Sequence, residues 1–157
     1  MNGSFEGDII RPLGLVTLYC AYAEEELDNL LQALSVVEPF DDRKRQWTIG
    51  QKVSHAERLI QQLESDDLLA RLRDALAEGR RLFERRNEFV HRSLYAGGRL
   101  VSNRAGVTEE HVTAQDLTAF AESVFAWKER IWLSRQKDLL QALADRGTEK
   151  RRHVSPR

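Results

Sequence analysis

The chain has a single cysteine, a single methionine and three prolines in 157 residues. One cysteine, Cys20, excludes an intrachain disulfide, so the sequence reads as a protein of a reducing compartment, the cytoplasm by default. So few prolines, with nine glycines, argue against a fibrous or low-complexity chain and leave room for long helices. Long apolar runs are missing as well. The most apolar stretch, Pro12 to Ala23, is too short to cross a bilayer. It follows Glu6 and Asp8 with only Arg11 to oppose them, the reverse of a secretory signal, so no membrane partner is expected. Glycine-rich phosphate loops, nucleophile elbows and dinucleotide fingerprints are absent too. Neither sign of charge dominates. With a formal net charge of -1, no global field recruits a polyanion, and any nucleic-acid contact must come from a local patch.

What is present is a chain long enough to bury a core, 41% hydrophobic and 31% charged. Nineteen of its 24 basic residues are arginines. Arginine is the better fork for phosphate, although codon preference alone explains such a bias. Helical periodicity organises four segments. The first spans about 8–37, with Pro12 in its opening turn and an apolar stripe of Leu15, Leu18, Tyr22, Leu27, Leu30, Leu31 and Leu34. Glu24 to Glu26 and Asp28 fall between those positions and should face water. After Pro39 comes a charged linker, 41–46. Thr48 then caps a second helix to about Glu64, with Val53, Ala56, Ile60 and Leu63 inward.

The third helix is predicted over about 67–95, with Leu69, Leu72, Leu76, Phe83, Val90 and Leu94 on one face and Gly97-Gly98 as its stop. Two short β-like pieces around Asn103-Arg104-Ala105-Gly106 suggest a small hairpin or ordered loop. The last helix starts near Thr113 or Gln115 and continues to about Arg146, through Leu117, Phe120, Val124, Trp127, Ile131, Leu139 and Leu143. Residues 148–157 form a basic tail, expected to be mobile. The fold class that follows is all-α: one domain over 1–147, an up-and-down four-helix bundle with a β-like hairpin or loop before the last helix.

The residues with chemistry to offer lie near the end of the third helix: Arg86-Asn87-Glu88-Phe89-Val90-His91. Asn87 and His91 are one turn apart on one side, while Arg86 sits about 140° around from His91. The three bracket an apolar seam over which a long arginine arm can fold, at the rim of a helix–helix or subunit interface. A histidine that titrates near neutrality can take the proton of a ribose 2′-OH or give one to the leaving 5′-oxygen. An arginine can hold the scissile phosphate and stabilise its developing charge. Asn87 can orient either. Neither a metal nor a cofactor is expected, because the 2′-OH of RNA is itself the nucleophile. One imidazole cannot easily act as both acid and base, which a two-fold homodimer with two copies of Arg86 and His91 in one cleft would solve.

Arg86-Asn87-x-x-x-His91 resembles the hallmark of the HEPN superfamily, R-x(4-6)-H near the end of a helix in an up-and-down bundle, often with a polar residue after the arginine. The resemblance covers the bundle broadly and these six positions specifically. It implies a metal-independent endoribonuclease with a composite dimeric site, producing a 2′,3′-cyclic phosphate. It further implies a place in toxin–antitoxin or phage-defence systems, with an antitoxin or another defence protein as partner. Other members of the superfamily are non-catalytic. The branch paired with a nucleotidyltransferase antitoxin carries a tyrosine two residues after the histidine. Here Ser93 stands there and the tyrosine comes as Tyr95, a departure from that pattern.

Arg85, Arg92, Ser93 and Tyr95 are candidate secondary substrate contacts. Arg80, Arg81, Arg85, Arg86 and Arg92, with Arg99 and Arg104, could form a local basic patch. Glu78, Glu84 and Glu88 between them fit a salt-bridged helix face equally well. His55 reads as a packed or surface histidine, and His111 with Glu109 and Glu110 lacks the distant partners a metal site needs. Cys20 reads as an inert core residue, and Trp47, Trp127 and Trp132 as core or interface anchors. The alternatives to an enzyme are a silent domain that binds RNA or a nucleotide, and a helical scaffold that binds other proteins.

Overall fold

The computed structural model describes residues 6–94, 98–102, 105, 106 and 108–153, with backbone only for 6–8, 93, 151 and 153. It is an all-α bundle. Helix α1 (Glu6–Ala33) ends in a 3-10 turn, Leu34–Val36. The segment read as a charged linker contains a short helix, α2 (Asp42–Arg45), because Asp41 accepts a hydrogen bond from the Lys44 amide and caps it. Helix α3 (Ile49–Gln61) begins at Thr48 as predicted, with a reciprocal capping box between Thr48 and Gln51. Helix α4 is Asp66–His91, α5 is Ala114–Ser134, and a π turn, Arg135–Leu139, leads into α6 (Leu140–His153).

Pairing partners give each helix its direction. Tyr19 meets Phe125 and Glu26 meets Arg135, so α1 and α5 run in the same sense. Lys52 reaches Glu24 and Asp28 while Arg58 reaches Glu38, so α3 follows α1 too, the chain having doubled back through 37–48. Helix α4 opposes both: Phe89 meets Phe120 low in α5, and Arg71 meets Asp138 in the π turn that follows it. Directions therefore alternate from α3 through α5, but not between α1 and α3.

Leu27, Leu30, Leu31, Leu34, Leu69, Leu72, Leu76 and Trp127 are fully buried, and Val53, Ala56 and Ile60 with them. At the centre, the Trp127 indole stands edge-on to Phe83, ring centroids 5.3 Å apart, and donates from Nε1 to the Ala75 carbonyl at 2.6 Å. Gly79 lets α4 approach that ring. A Cβ there would stand 2.7 Å from Trp127 Cζ2.

Several sequence expectations are corrected. Leu18 and Tyr22 are exposed, and the α1 stripe runs instead through Val16, Cys20 and Ala23. Glu26 is buried rather than solvated, held by Arg135 at 2.6 Å across the π turn. Val90 is exposed, and Phe89 is buried in its place. Helix α4 stops at His91, short of Tyr95, because Ser93 and Leu94 pair with Val101 and Leu100 as strand β1. Strands β1 (Ser93–Leu94), β2 (Arg99–Val101) and β3 (Glu110–His111) make an antiparallel sheet in that order. Gly98 enters β2 with φ +87 and lies so close to β3 that a Cβ would collide with the Val112 carbonyl. The final helix continues to His153, past the start of the predicted tail, and 154–157 lie outside the described residues.

His55 is packed, as one of its two readings had it. Arg58 donates to its Nδ1 at 2.8 Å, which fixes the neutral ring with the proton on Nε2, and Trp47 stands edge-on to it at 5.1 Å. Burial, ahead of the attraction of Glu38, holds the imidazole below its ordinary 6.5. Lys44 and Arg58 bring the Glu38 carboxyl down to about 2, so it stays ionised throughout the range where histidine titrates. Unfolding exposes an imidazole that protonates at higher pH than the folded one. The stability that His55 contributes is therefore complete above about pH 6.5 and is lost as pH falls below it. Thermal melts between pH 7.5 and 5 should show a decline in Tm that is shallower in His55→Gln.

Candidate functional site

Arg86, Asn87 and His91 line one cleft of about 490 Å³ between the lower half of α4 and the start of α3. From α4 come also Arg80, Phe83 and Glu84; from α3 and its cap, Thr48, Ile49, Gly50 and Val53; from α1, Glu24. The local reason is helical geometry. Asn87 and His91 fall on one side, one turn apart, and both are exposed. Arg86 projects from the other shoulder and is half-buried. Its guanidinium lies close enough to α1 to act on Cys20, whose thiol burial pushes up to about 11 against the pull of that positive charge. That thiol is therefore the inert core group expected from the sequence.

Arg86 differs from its neighbours in what neutralises it. Arg80 is paired with Glu57, and Arg85 with both Glu88 and Glu110. Arg92 approaches Glu110 at 3.6 Å and donates to the carbonyls of Leu100 and Thr108 at 3.2 and 3.1 Å. Among the described residues no carboxylate lies within ion-pair distance of Arg86. Its contact is a hydrogen bond from Nη1 to Asn87 Oδ1 at 3.2 Å. His91 makes no hydrogen bond to a described residue. The cleft thus presents an unneutralised guanidinium, an amide whose NH₂ can still donate, and an accessible imidazole.

The other candidates are placed elsewhere. Arg85 and Arg92 grip Glu110 from two sides and clasp the small sheet onto the end of α4, and Arg85 also stacks on Phe89, 4.6 Å from its centroid. That double grip holds the Glu110 carboxyl below its usual range. Ser93 lies in β1 with only its backbone described, and Tyr95 and Arg104 fall outside the described residues. Of the basic run, Arg80, Arg85 and Arg92 form a salt-bridged face, and Arg81 is exposed without lining the cleft. His111 is exposed on β3. Among the described residues, no three His, Cys, Asp or Glu side chains are grouped to hold a metal ion, and no helix is long and apolar enough to cross a membrane.

Arg80, read in the sequence as part of a basic patch, does line the cleft. Sequence reasoning missed Thr48, Gly50 and Glu24 as parts of it. No local pattern marks them, because α3 is folded onto α4 by the buried stripe Val53, Ala56 and Ile60 rather than by anything in the motif. Lys52 ties α3 to α1 instead: buried, it bonds Asp28 at 2.7 Å and Glu24 at 3.3 Å, so Glu24 enters the cleft already paired. Compared with known protein families, curated proteins and solved structures, the chain matches none.

Proposed function

We propose that the chain is a metal-independent endoribonuclease of the HEPN type that acts as a homodimer. The observation carrying this reading is Arg86, which among the described residues has no carboxylate within ion-pair distance and shares its cleft with Asn87 and an accessible His91. A free guanidinium next to an imidazole suits a phosphodiester whose own 2′-OH attacks. His91 takes the 2′-OH proton and the 2′-oxygen forms its bond to phosphorus. The bond to the 5′-oxygen breaks, and that oxygen leaves with a proton supplied by His91 of a second copy. The products are a 2′,3′-cyclic phosphate and a 5′-hydroxyl. Arg86 holds the phosphate and offsets the charge that accumulates on its oxygens. Asn87 orients Arg86 through their hydrogen bond and can donate to the phosphate. A role as a toxin or phage-defence effector, with an antitoxin or another defence protein as partner, accompanies this reading.

A second reading, an RNA-binding domain that does not cut, is favoured by the fact that one subunit's cleft contains a single imidazole. Both are tested by incubating a labelled mixed-sequence RNA with the protein in EDTA. Fragments ending in cyclic phosphate, absent with the 2′-deoxy analogue and with His91→Ala, are expected. Binding without cleavage by pure dimeric protein, undiminished in His91→Ala, would leave the second reading standing.

A further inference from the structure

A second cleft, of about 710 Å³, opens on the other side of the α3 N-terminus, and it shares Thr48, Gly50 and Arg80 with the first. The two are therefore halves of one groove that bends around the start of α3. The outer half is lined by Trp47, His55 and Arg58 besides the shared residues, with two arginines and no carboxylate among its lining. Both arginines are paired, Arg58 with Glu38 and Arg80 with Glu57, and neither carboxylate lines the cleft. Trp47 is half-buried and stands edge-on to the buried His55, which backs it. A half-buried aromatic ring flanked by arginine side chains, each paired on one side and open to the cleft, offers a stacked base its face and the adjoining phosphate its donors. The junction is left clear. Gly50 is exposed, and a Cβ built there would touch nothing within 4 Å.

We propose that the outer half is a flanking-nucleotide subsite. An RNA strand with its scissile phosphate at Arg86 and His91 passes over Gly50 and Arg80 and sets the base of an adjoining nucleotide against Trp47. This rests on the ribonuclease reading and adds that the protein acts on single strands several nucleotides long, with stacking rather than base-edge contacts as the source of extra affinity. Gly50 matters because any side chain at that position stands between the two halves.

The test compares kcat/KM for a ribodinucleotide and for ribohexanucleotides that contain the same cleavable step. In the wild type the hexanucleotides should be favoured by about tenfold. Trp47→Leu removes the stacking ring, and Gly50→Leu obstructs the passage from a position where a Cβ meets nothing within 4 Å. In both variants the hexanucleotide-to-dinucleotide ratio should fall to about two or less. Gly50→Leu keeps the test decisive should Trp47→Leu prove unstable through its loss of packing on His55. A wild-type ratio near one, or an unchanged ratio in both variants, overturns the subsite while the ribonuclease reading stands, and leaves the outer cleft to a protein partner. Failure of the wild type to cleave either substrate overturns both.

Discussion

Replacing Trp127 by alanine is expected to lower the stability of the folded chain by about 4 kcal/mol, the upper range for deletion of a buried aromatic. Three observations combine to place it there. The ring is fully buried, its Nε1 satisfies the Ala75 carbonyl at 2.6 Å, and its edge-on contact with Phe83 joins α4 to α5. The void cannot collapse easily, since the buried residues Leu72, Leu76, Phe83, Ala121, Val124 and Ile131 pack the same α4–α5 core. The converse change, Gly79→Ala, puts a methyl 2.7 Å from Cζ2 and 2.9 Å from Cε2 of a ring enclosed on all sides. Overpacking of this kind destabilises by about 1–3 kcal/mol. The two changes should couple. Trp127→Phe beside Gly79→Ala should destabilise by less than the two singly added together, because the smaller ring leaves room for the methyl. Urea unfolding of the wild type, Trp127→Ala, Trp127→Phe, Gly79→Ala and the double variant measures this. A loss under about 2 kcal/mol for Trp127→Ala, with an unchanged m-value, would mean that the bundle is not centred on this ring.

Where the sequence was legible, the determinant was local. The Thr48 cap, the Thr113 start of α5 and the Asn87/His91 pairing depend on residues within one turn of each other. Where it was not, a distant neighbour decided. Periodicity from Phe83 extends to Val90, yet Phe89 is the buried residue because Phe120 of α5 meets it edge-on at 5.2 Å. In α1 the largest apolar side chains drew the expected stripe through Leu18 and Tyr22. Burial went to Val16, Cys20 and Ala23, smaller groups that allow a closely packed neighbouring helix. Glu26 looked solvated until Arg135, 109 positions away, closed on it. Strand β1 is two residues long and exists only because β2 returns beside it, which the local sequence before Gly97-Gly98 does not reveal. The cleft divides in the same way. Its α4 half was readable as a motif, whereas Gly50 and Thr48 enter it through tertiary packing alone.

Arg86→Ala and His91→Ala should each reduce single-turnover RNA cleavage by about two to four orders of magnitude. The double variant should fall within about tenfold of the weaker single one, since residues that act on the same transition state are not additive. Arg86→Lys should lie between wild type and alanine: it keeps the charge and loses the planar fork that meets two phosphate oxygens at once. These changes separate chemistry from folding unusually well. Removing Arg86 orphans no carboxylate, only the exposed Asn87 Oδ1, and His91 is exposed with no described hydrogen-bond partner to lose. Stability should therefore stay within about 0.5 kcal/mol of wild type in His91→Ala, while Arg86→Ala also loses the packing of a half-buried stem and should cost about 1 kcal/mol. By contrast, Arg85→Ala removes the clasp on Glu110 and should lower Tm while its effect on cleavage follows the folded fraction. The decisive comparison is rate per folded molecule, from cleavage and melting of the same preparations. Losses in Arg86→Ala and His91→Ala that multiply in the double variant would mean that the two side chains serve separate steps. A rate per folded molecule within fivefold of wild type in either would remove that residue from the chemistry.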